Sequence, residues 1–129
     1  MPRYVVLEHD WKGIHWDFMF EAQGVLVTWA LDRPPTVNLD IPARKLADHR
    51  LAYLDYEGPV SNNRGSVTRW DEGVYVPLSR SDDSFETRLS GAKLVGSARF
   101  WRNPTGFTET PGAVETPDVW LFRLTGNVD

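Results

Sequence analysis

Apolar and polar residues alternate along the first quarter of the chain with the period of a strand. From Ile14 to Glu21, Trp16, Phe18 and Phe20 fall on one side and His15, Asp17, Met19 and Glu21 on the other, because successive side chains of a strand point to opposite faces. Arg3 to His9, rich in β-branched and aromatic residues, reads as the preceding strand. Asp10 to Gly13 is the turn between them, and Val25 to Leu31, after Gln23-Gly24, completes a meander. Asp32 to Ile41 is a loop carrying Pro34-Pro35. Pro42 to Ala47 is expected to form one or two helical turns, with proline in the first turn, where its missing N–H costs nothing. Val67–Asp71 and Val74–Leu78 read as a hairpin about Asp71-Glu72-Gly73, and Phe85–Leu89 and Lys93–Arg102 as another about Ser90-Gly91. Asn103 to Asp118 is a long loop with three prolines, and Val119 to Leu124 is the last strand. The expectation is a mainly all-β fold, a small antiparallel β-barrel of about eight strands with one short helical segment. Residues 1–129 are expected to form one domain.

Composition sharpens this picture. A chain of 129 residues should bury about two-thirds of its unfolded surface, enough for a core without staples. Six Trp, six Phe and four Tyr, with nine Pro and ten Gly, favour short strands and tight turns over long helices. There is no cysteine, which excludes a disulfide scaffold, a thiolate zinc site, an iron–sulfur cluster and a cysteine nucleophile. The first ten residues show neither a basic lead nor an apolar run, so no signal peptide is expected. The uncharged stretch from Gly24 to Leu31 is too short for a membrane span, and a cytoplasmic protein without membrane contact is the expectation. A net charge of −4 argues against a non-specific coat for nucleic acid but leaves room for a local basic groove.

Candidate chemistry gathers around the three histidines. A hairpin across residues 10–13 sets His9 beside the second strand, where His15 and Asp17 project to one side. Two imidazoles and a carboxylate converging from paired strands make a divalent-metal site with open coordination positions. The same alternation also describes a half-solvated strand with its polar face outward. His49 and Tyr53 share a face if Asp48–Tyr56 is extended, a pair able to supply a proton and an oxyanion hydrogen bond. The bland alternative is a surface histidine beside a tyrosine at the core edge. Between Arg44 and Arg69 five basic residues face three acidic ones. Arg64 and Arg69 there suit phosphate, or simply a solvated face. No Gly-rich phosphate loop and no Gly-x-Ser-x-Gly elbow is present.

The residues also match a family. Tyr4-Val-Val-Leu-Glu-His-Asp, His15-Trp-Asp-Phe, Gly24-Val-Leu with Trp29-Ala, Asp48-His49 with Leu51 and Tyr53, Tyr56-Glu-Gly58, Trp70-Asp-x-Gly73 and Leu89-Ser-Gly-x-Lys-Leu-x-Gly96 resemble, in order, the 3′-phosphoesterase domain of bacterial DNA ligase D. The resemblance implies a small β-barrel that removes 3′-phosphates and 3′-ribonucleosides from DNA or RNA primer termini during end joining. It implies a divalent cation on His9, His15 and Asp17, manganese first, with zinc or another transition metal as alternatives. His49 would contact the scissile phosphate or donate a proton, with Tyr53 supporting it. The implied partners are nucleic-acid 3′ ends on a primer-template, with a polymerase and a ligase of the repair machinery.

Several family positions differ. The arginine expected to grip phosphate after His-x-Asp is Met19, and an acidic residue two before His49 is Ala47. The loop after Glu57-Gly58 is Ser61-Asn-Asn-Arg-Gly65, and only three residues precede Tyr4, which puts ribonucleoside removal in more doubt than phosphate removal. Arg64, or failing it Arg69, is the expected substitute for the lost guanidinium. The alternative function is a catalytically impaired, metal-containing module that binds DNA ends or a repair partner.

Overall fold

The structure, a computed structural model, describes residues 1–102 and 119–128, and among them are nine strands and one short 3-10 helix. In chain order these are β1 (Arg3–Asp10), β2 (Ile14–Ala22), β3 (Val25–Leu31), β4 (Ile41–His49), the 3-10 helix Leu51–Asp55, β5 (Gly58–Pro59), β6 (Ser66–Arg80), β7 (Ser84–Gly91), β8 (Leu94–Arg102) and β9 (Val119–Val128). The strands pair antiparallel in the order β1-β2-β3-β4-β9-β8-β7-β6-β5, and a second pairing of β1 with β6 closes the sheet into a ring. Closure satisfies the edge groups that an open sheet would leave bare. The all-β, antiparallel barrel-like expectation therefore holds.

The interior is aromatic: Phe18, Phe20, Trp29, Phe85, Phe100 and Phe122 pack against Tyr4, Val6, Leu31 and Leu124. A second apolar cluster lies on the outer wall of the ring. Val5, Leu7, Met19, Leu26 and Val67 project outward and are capped by Leu54 of the 3-10 helix. The run Tyr4-Val-Val-Leu7 does not alternate in polarity because β1 is buried on both faces.

Two register shifts decide which residues reach that outer wall. Thr28 pairs with Leu46 but Leu26 with His49, so Ala47 and Asp48 together oppose one residue of β3. This bulge switches the side to which later side chains point. Lys45, opposite the interior Trp29, faces inward, whereas His49, opposite Leu26, faces outward. In β6 the shift between Val6 and Leu7 leaves Trp70 as the extra residue. Val67 therefore packs outside, while Asp71 and Tyr75 turn inward. Asp71 is buried and accepts hydrogen bonds from Tyr4 Oη (2.6 Å) and from the Lys93 and Leu94 amides (2.8 and 3.2 Å).

Three local expectations are corrected. Pro42–Ala47 is not helical. It lies in β4, where Ile41 and Ala43 are buried and Pro42 and Arg44 are exposed, and pairing to β3 and β9 overrides its helix-favouring composition. The helical segment falls at Leu51–Asp55 instead, so Asp48–Tyr56 is not one strand. Asp71-Glu72-Gly73 is no hairpin but the middle of β6. Gly73 is required there by close approach, since a Cβ on it would stand 2.3 Å from the Ser90 carbonyl oxygen. The loop expected at 103–118 lies outside the described residues.

Candidate active site

The turn Trp11-Lys12-Gly13, with Lys12 and Gly13 at φ of 52° and 96°, reverses the chain so that His9 pairs directly with His15. Cross-strand neighbours on one face lie within side-chain reach, and the two imidazole centroids are 4.6 Å apart. Asp17, two residues along β2, joins them on the outer wall. One ligand atom from each of His9, His15 and Asp17 lies within 4.8 Å of the others.

Hydrogen bonding fixes the donor set. His9 Nε2 is 2.7 Å from the Arg64 carbonyl oxygen. A carbonyl only accepts, so Nε2 carries the proton and, in the neutral ring, Nδ1 presents its lone pair. Nδ1 lies 3.2 Å from Asp17 Oδ2, an acceptor facing an acceptor unless a proton or a cation stands between them. Asp17 is 2% exposed. Its Oδ1 lies 3.2 Å from His15 Nε2 yet has no aligned hydrogen-bond partner. A buried carboxylate oxygen lacking a donor, a ring nitrogen lacking a proton and a second imidazole beside both fit a divalent cation. The carbonyl that orients His9 is the usual outer support of a ligating imidazole. With no cation, the Asp17 carboxylate holds the His9 proton, so His9 titrates above its ordinary value despite partial burial. Burial pushes Asp17 up, but the two imidazoles outweigh it and leave the group below the usual carboxylate range.

A cavity of about 270 Å³ opens on this cluster and is lined by His9, Asp17, His49, Tyr53 and Arg64, with Met19 among the apolar residues. His49 Nδ1–H donates to the Ala47 carbonyl (2.8 Å), leaving Nε2 for a ligand. The His49 and Tyr53 rings meet edge to face at 5.8 Å. Their adjacency arises from the 3-10 turn that follows β4, and Leu51 between them is exposed. Arg64 lines the cavity while its Nε and Nη2 donate to the Ser61 carbonyl and hydroxyl (2.9 and 3.2 Å). Arg69 is engaged elsewhere, by Glu57 and Glu72. Met19, 1% exposed, belongs to the outer apolar cluster.

Sequence reasoning missed Asp48 and Arg50, which also line the cavity, and the Arg64 carbonyl. The turn signal in Ser61–Gly65 was readable. Asn62, Asn63 and Gly65 have positive φ, as Asn and Gly readily adopt. That this loop docks on β1 was not: a Cβ on Gly65 would lie 1.8 Å from the Asp10 carbonyl oxygen.

The fold and the cluster define a closed antiparallel β-protein with a His-His-Asp constellation at the edge of a cavity on its outer wall. The family profile described as the DNA Ligase D 3′-phosphoesterase domain matches residues 7–102, and the chain belongs to that family. It is 36% identical over 106 residues to the multifunctional non-homologous end joining protein LigD of Pseudomonas aeruginosa, a match covering 73% of this chain and 12% of that protein. It is 34% identical over 102 residues to the multifunctional non-homologous end joining DNA repair protein LigD of Mycobacterium tuberculosis, covering 72% and 13%. The chain thus corresponds to about an eighth of the length of these relatives. No helix among the described residues is long and apolar enough to cross a membrane.

Proposed function

We propose that this chain is a metal-dependent 3′-end-processing phosphoesterase that removes terminal 3′-phosphates from DNA or RNA in end-joining repair, beside a polymerase and a ligase. The observation that carries the reading is the cavity: His9, His15 and Asp17 meet within 4.8 Å at its edge, and His49, Tyr53 and Arg64 line it. Family membership and the names of the relatives support the substrate class. His9 Nδ1, His15 Nε2 and the Asp17 carboxylate would hold the cation, manganese being our choice among metals that accept nitrogen and oxygen ligands. When bound, a divalent cation neutralises phosphate charge and activates water.

The chain's own groups do the rest. Arg64, tethered to Ser61, keeps a guanidinium beside the phosphate oxygens. Tyr53 donates a hydrogen bond to a non-bridging oxygen, and His49, oriented through its Nδ1–H bond to Ala47, acts as the imidazolium whose Nε2–H protonates the departing 3′ oxygen. Buried Met19 supports the second reading, a module that binds ends without turnover, because that place carries no guanidinium. Incubation with a 3′-phosphorylated primer-template separates the two. Phosphate release with manganese, abolished by chelator and by His9→Ala, is expected of the enzyme. Tight binding with no release is the outcome for the module. Arg64→Ala should slow release by about 10-fold to 100-fold, as loss of a phosphate-stabilising donor does; an unchanged rate would remove Arg64 from the site.

A further inference from the structure

A second cavity, about 290 Å³, adjoins the first and is lined by Arg50, Ala52, Tyr53, Tyr56, Pro59 and Ser61. Arg50 and Tyr53 border both cavities, and Ser61 is the residue that anchors Arg64. All six lining residues are at least partly open to solvent, and no carboxylate is among them.

Two of these side chains have no part in the chemistry at the histidine cluster. The Tyr56 ring is 36% exposed yet held in place. Its hydroxyl donates to the Pro59 carbonyl, and the ring meets Tyr53 edge to face at 5.7 Å. It also stands against Gly58, where a Cβ would lie 3.3 Å from Tyr56 Oη. An aromatic surface fixed in advance loses little freedom when a second ring stacks on it. Arg50 is exposed, and among the described residues its guanidinium has no hydrogen-bond, ion-pair or ring partner. Arg64 and Arg69, by contrast, are engaged.

We propose that this cavity receives the terminal nucleoside whose 3′-phosphate lies beside the histidine cluster, with its base on the Tyr56 ring and the phosphate on its 5′ side at Arg50. This subsite rests on the phosphoesterase reading, in which His49 protonates the departing 3′ oxygen. The nucleoside bonded to that oxygen must therefore leave past His49 and Tyr53, and Tyr53 is a wall that the two cavities share. Every base has a face that stacks on an aromatic ring, and a guanidinium fork matches phosphate oxygens. Recognition of this kind requires a base but does not read which one, as suits action on broken ends of any sequence.

The test compares two primer-templates in equilibrium binding by fluorescence anisotropy, in chelator so that no turnover intervenes. In one, the last primer nucleotide is mismatched and 3′-phosphorylated and keeps its base. In the other, that residue is the 3′-phosphorylated tetrahydrofuran abasic analogue. The wild-type chain should bind the base-bearing end about 10-fold more tightly. Tyr56→Ala should reduce that preference to less than about 2-fold, and Tyr56→Phe, which keeps the ring, should retain most of it. A merely structural role for Tyr56 would weaken both ends alike. Arg50→Gln should lower the dependence of log K on log salt by about one for both ends, and Arg50→Lys should not; an unchanged dependence would remove Arg50 from the subsite. The same strands are then assayed for phosphate release with manganese. Base preference without release supports the subsite, now in a module that binds ends without turnover, and refutes the phosphoesterase reading. Release without base preference, or a preference that survives Tyr56→Ala, overturns the subsite alone. Neither release nor preference overturns both.

Discussion

His9 is held from both ring nitrogens, by a loop carbonyl on one side and a buried carboxylate on the other, and its protonation sets how the cluster responds to pH. In the metal-free protein its raised pKa means that its contribution to stability is complete below the unfolded imidazole value of about 6.5 and is lost as pH rises through the folded value. The depressed Asp17 behaves oppositely, contributing above its unfolded value and losing that contribution as pH falls through its folded one. A cation at Nδ1 must displace the His9 proton. Calorimetric manganese titrations at about pH 6 and about pH 8 should therefore show tighter binding, with less proton release, at the higher value; affinity independent of pH would remove His9 Nδ1 from the ligand set. Gly65→Ala tests the loop that supplies the carbonyl. With φ at 74° and a Cβ colliding with the Asp10 carbonyl, it should cost at least about 1–3 kcal/mol in urea unfolding, and a variant as stable as the parent would show that the loop does not dock as described. The three histidines and Asp17 were legible as residues because they are few and spaced for a strand pair. The Arg64 carbonyl was not, because a backbone acceptor leaves no mark on residue type.

At the level of elements, β1 to β3 were readable because β2 alternates, β1 and β3 are rich in β-branched and aromatic residues, and short turns at Lys12-Gly13 and Gln23-Gly24 separate them. β4 was not. Pro-Ala-Arg-Lys-Leu-Ala is locally a good helix, and only its partners Trp29 and Trp120, far away in sequence, make it a strand. Asp71-Glu-Gly73 misled for a similar reason: the glycine answers a close approach to Ser90, not a turn. The 3-10 helix is anchored by Leu54, its one buried residue, which sits in the outer cluster with Tyr53 packed alongside. Leu54→Ala should cost about 2–4 kcal/mol and, by loosening Tyr53 beside His49, should lower turnover more than substrate binding. Denaturant melts paired with steady-state kinetics check both, and an unchanged stability would mean that the helix is held otherwise. Tyr4→Phe removes the hydroxyl that joins β1 to buried Asp71 and should cost about 1–3 kcal/mol, read from the same melts.

For the molecule as a whole, the ring gives two faces with different tasks. Its interior is an aromatic core, and its outer wall carries a small second core whose margin is the cavity beside His9, His15 and Asp17. The all-β antiparallel class was legible from the even spacing of turn signals, although β6 was read as two strands and β4 as a helical turn. The ring closure through β1 and β6, and the two bulges that steer His49 outward and Asp71 inward, were not, since register between distant strands is decided by packing. The measurement that tests this arrangement most directly is the stoichiometry of manganese binding to the wild-type chain and to Asp17→Asn, followed by electron paramagnetic resonance. A single tightly bound ion per wild-type chain, lost in Asp17→Asn while the fold is retained, is the predicted result. Equal binding by both proteins would contradict it.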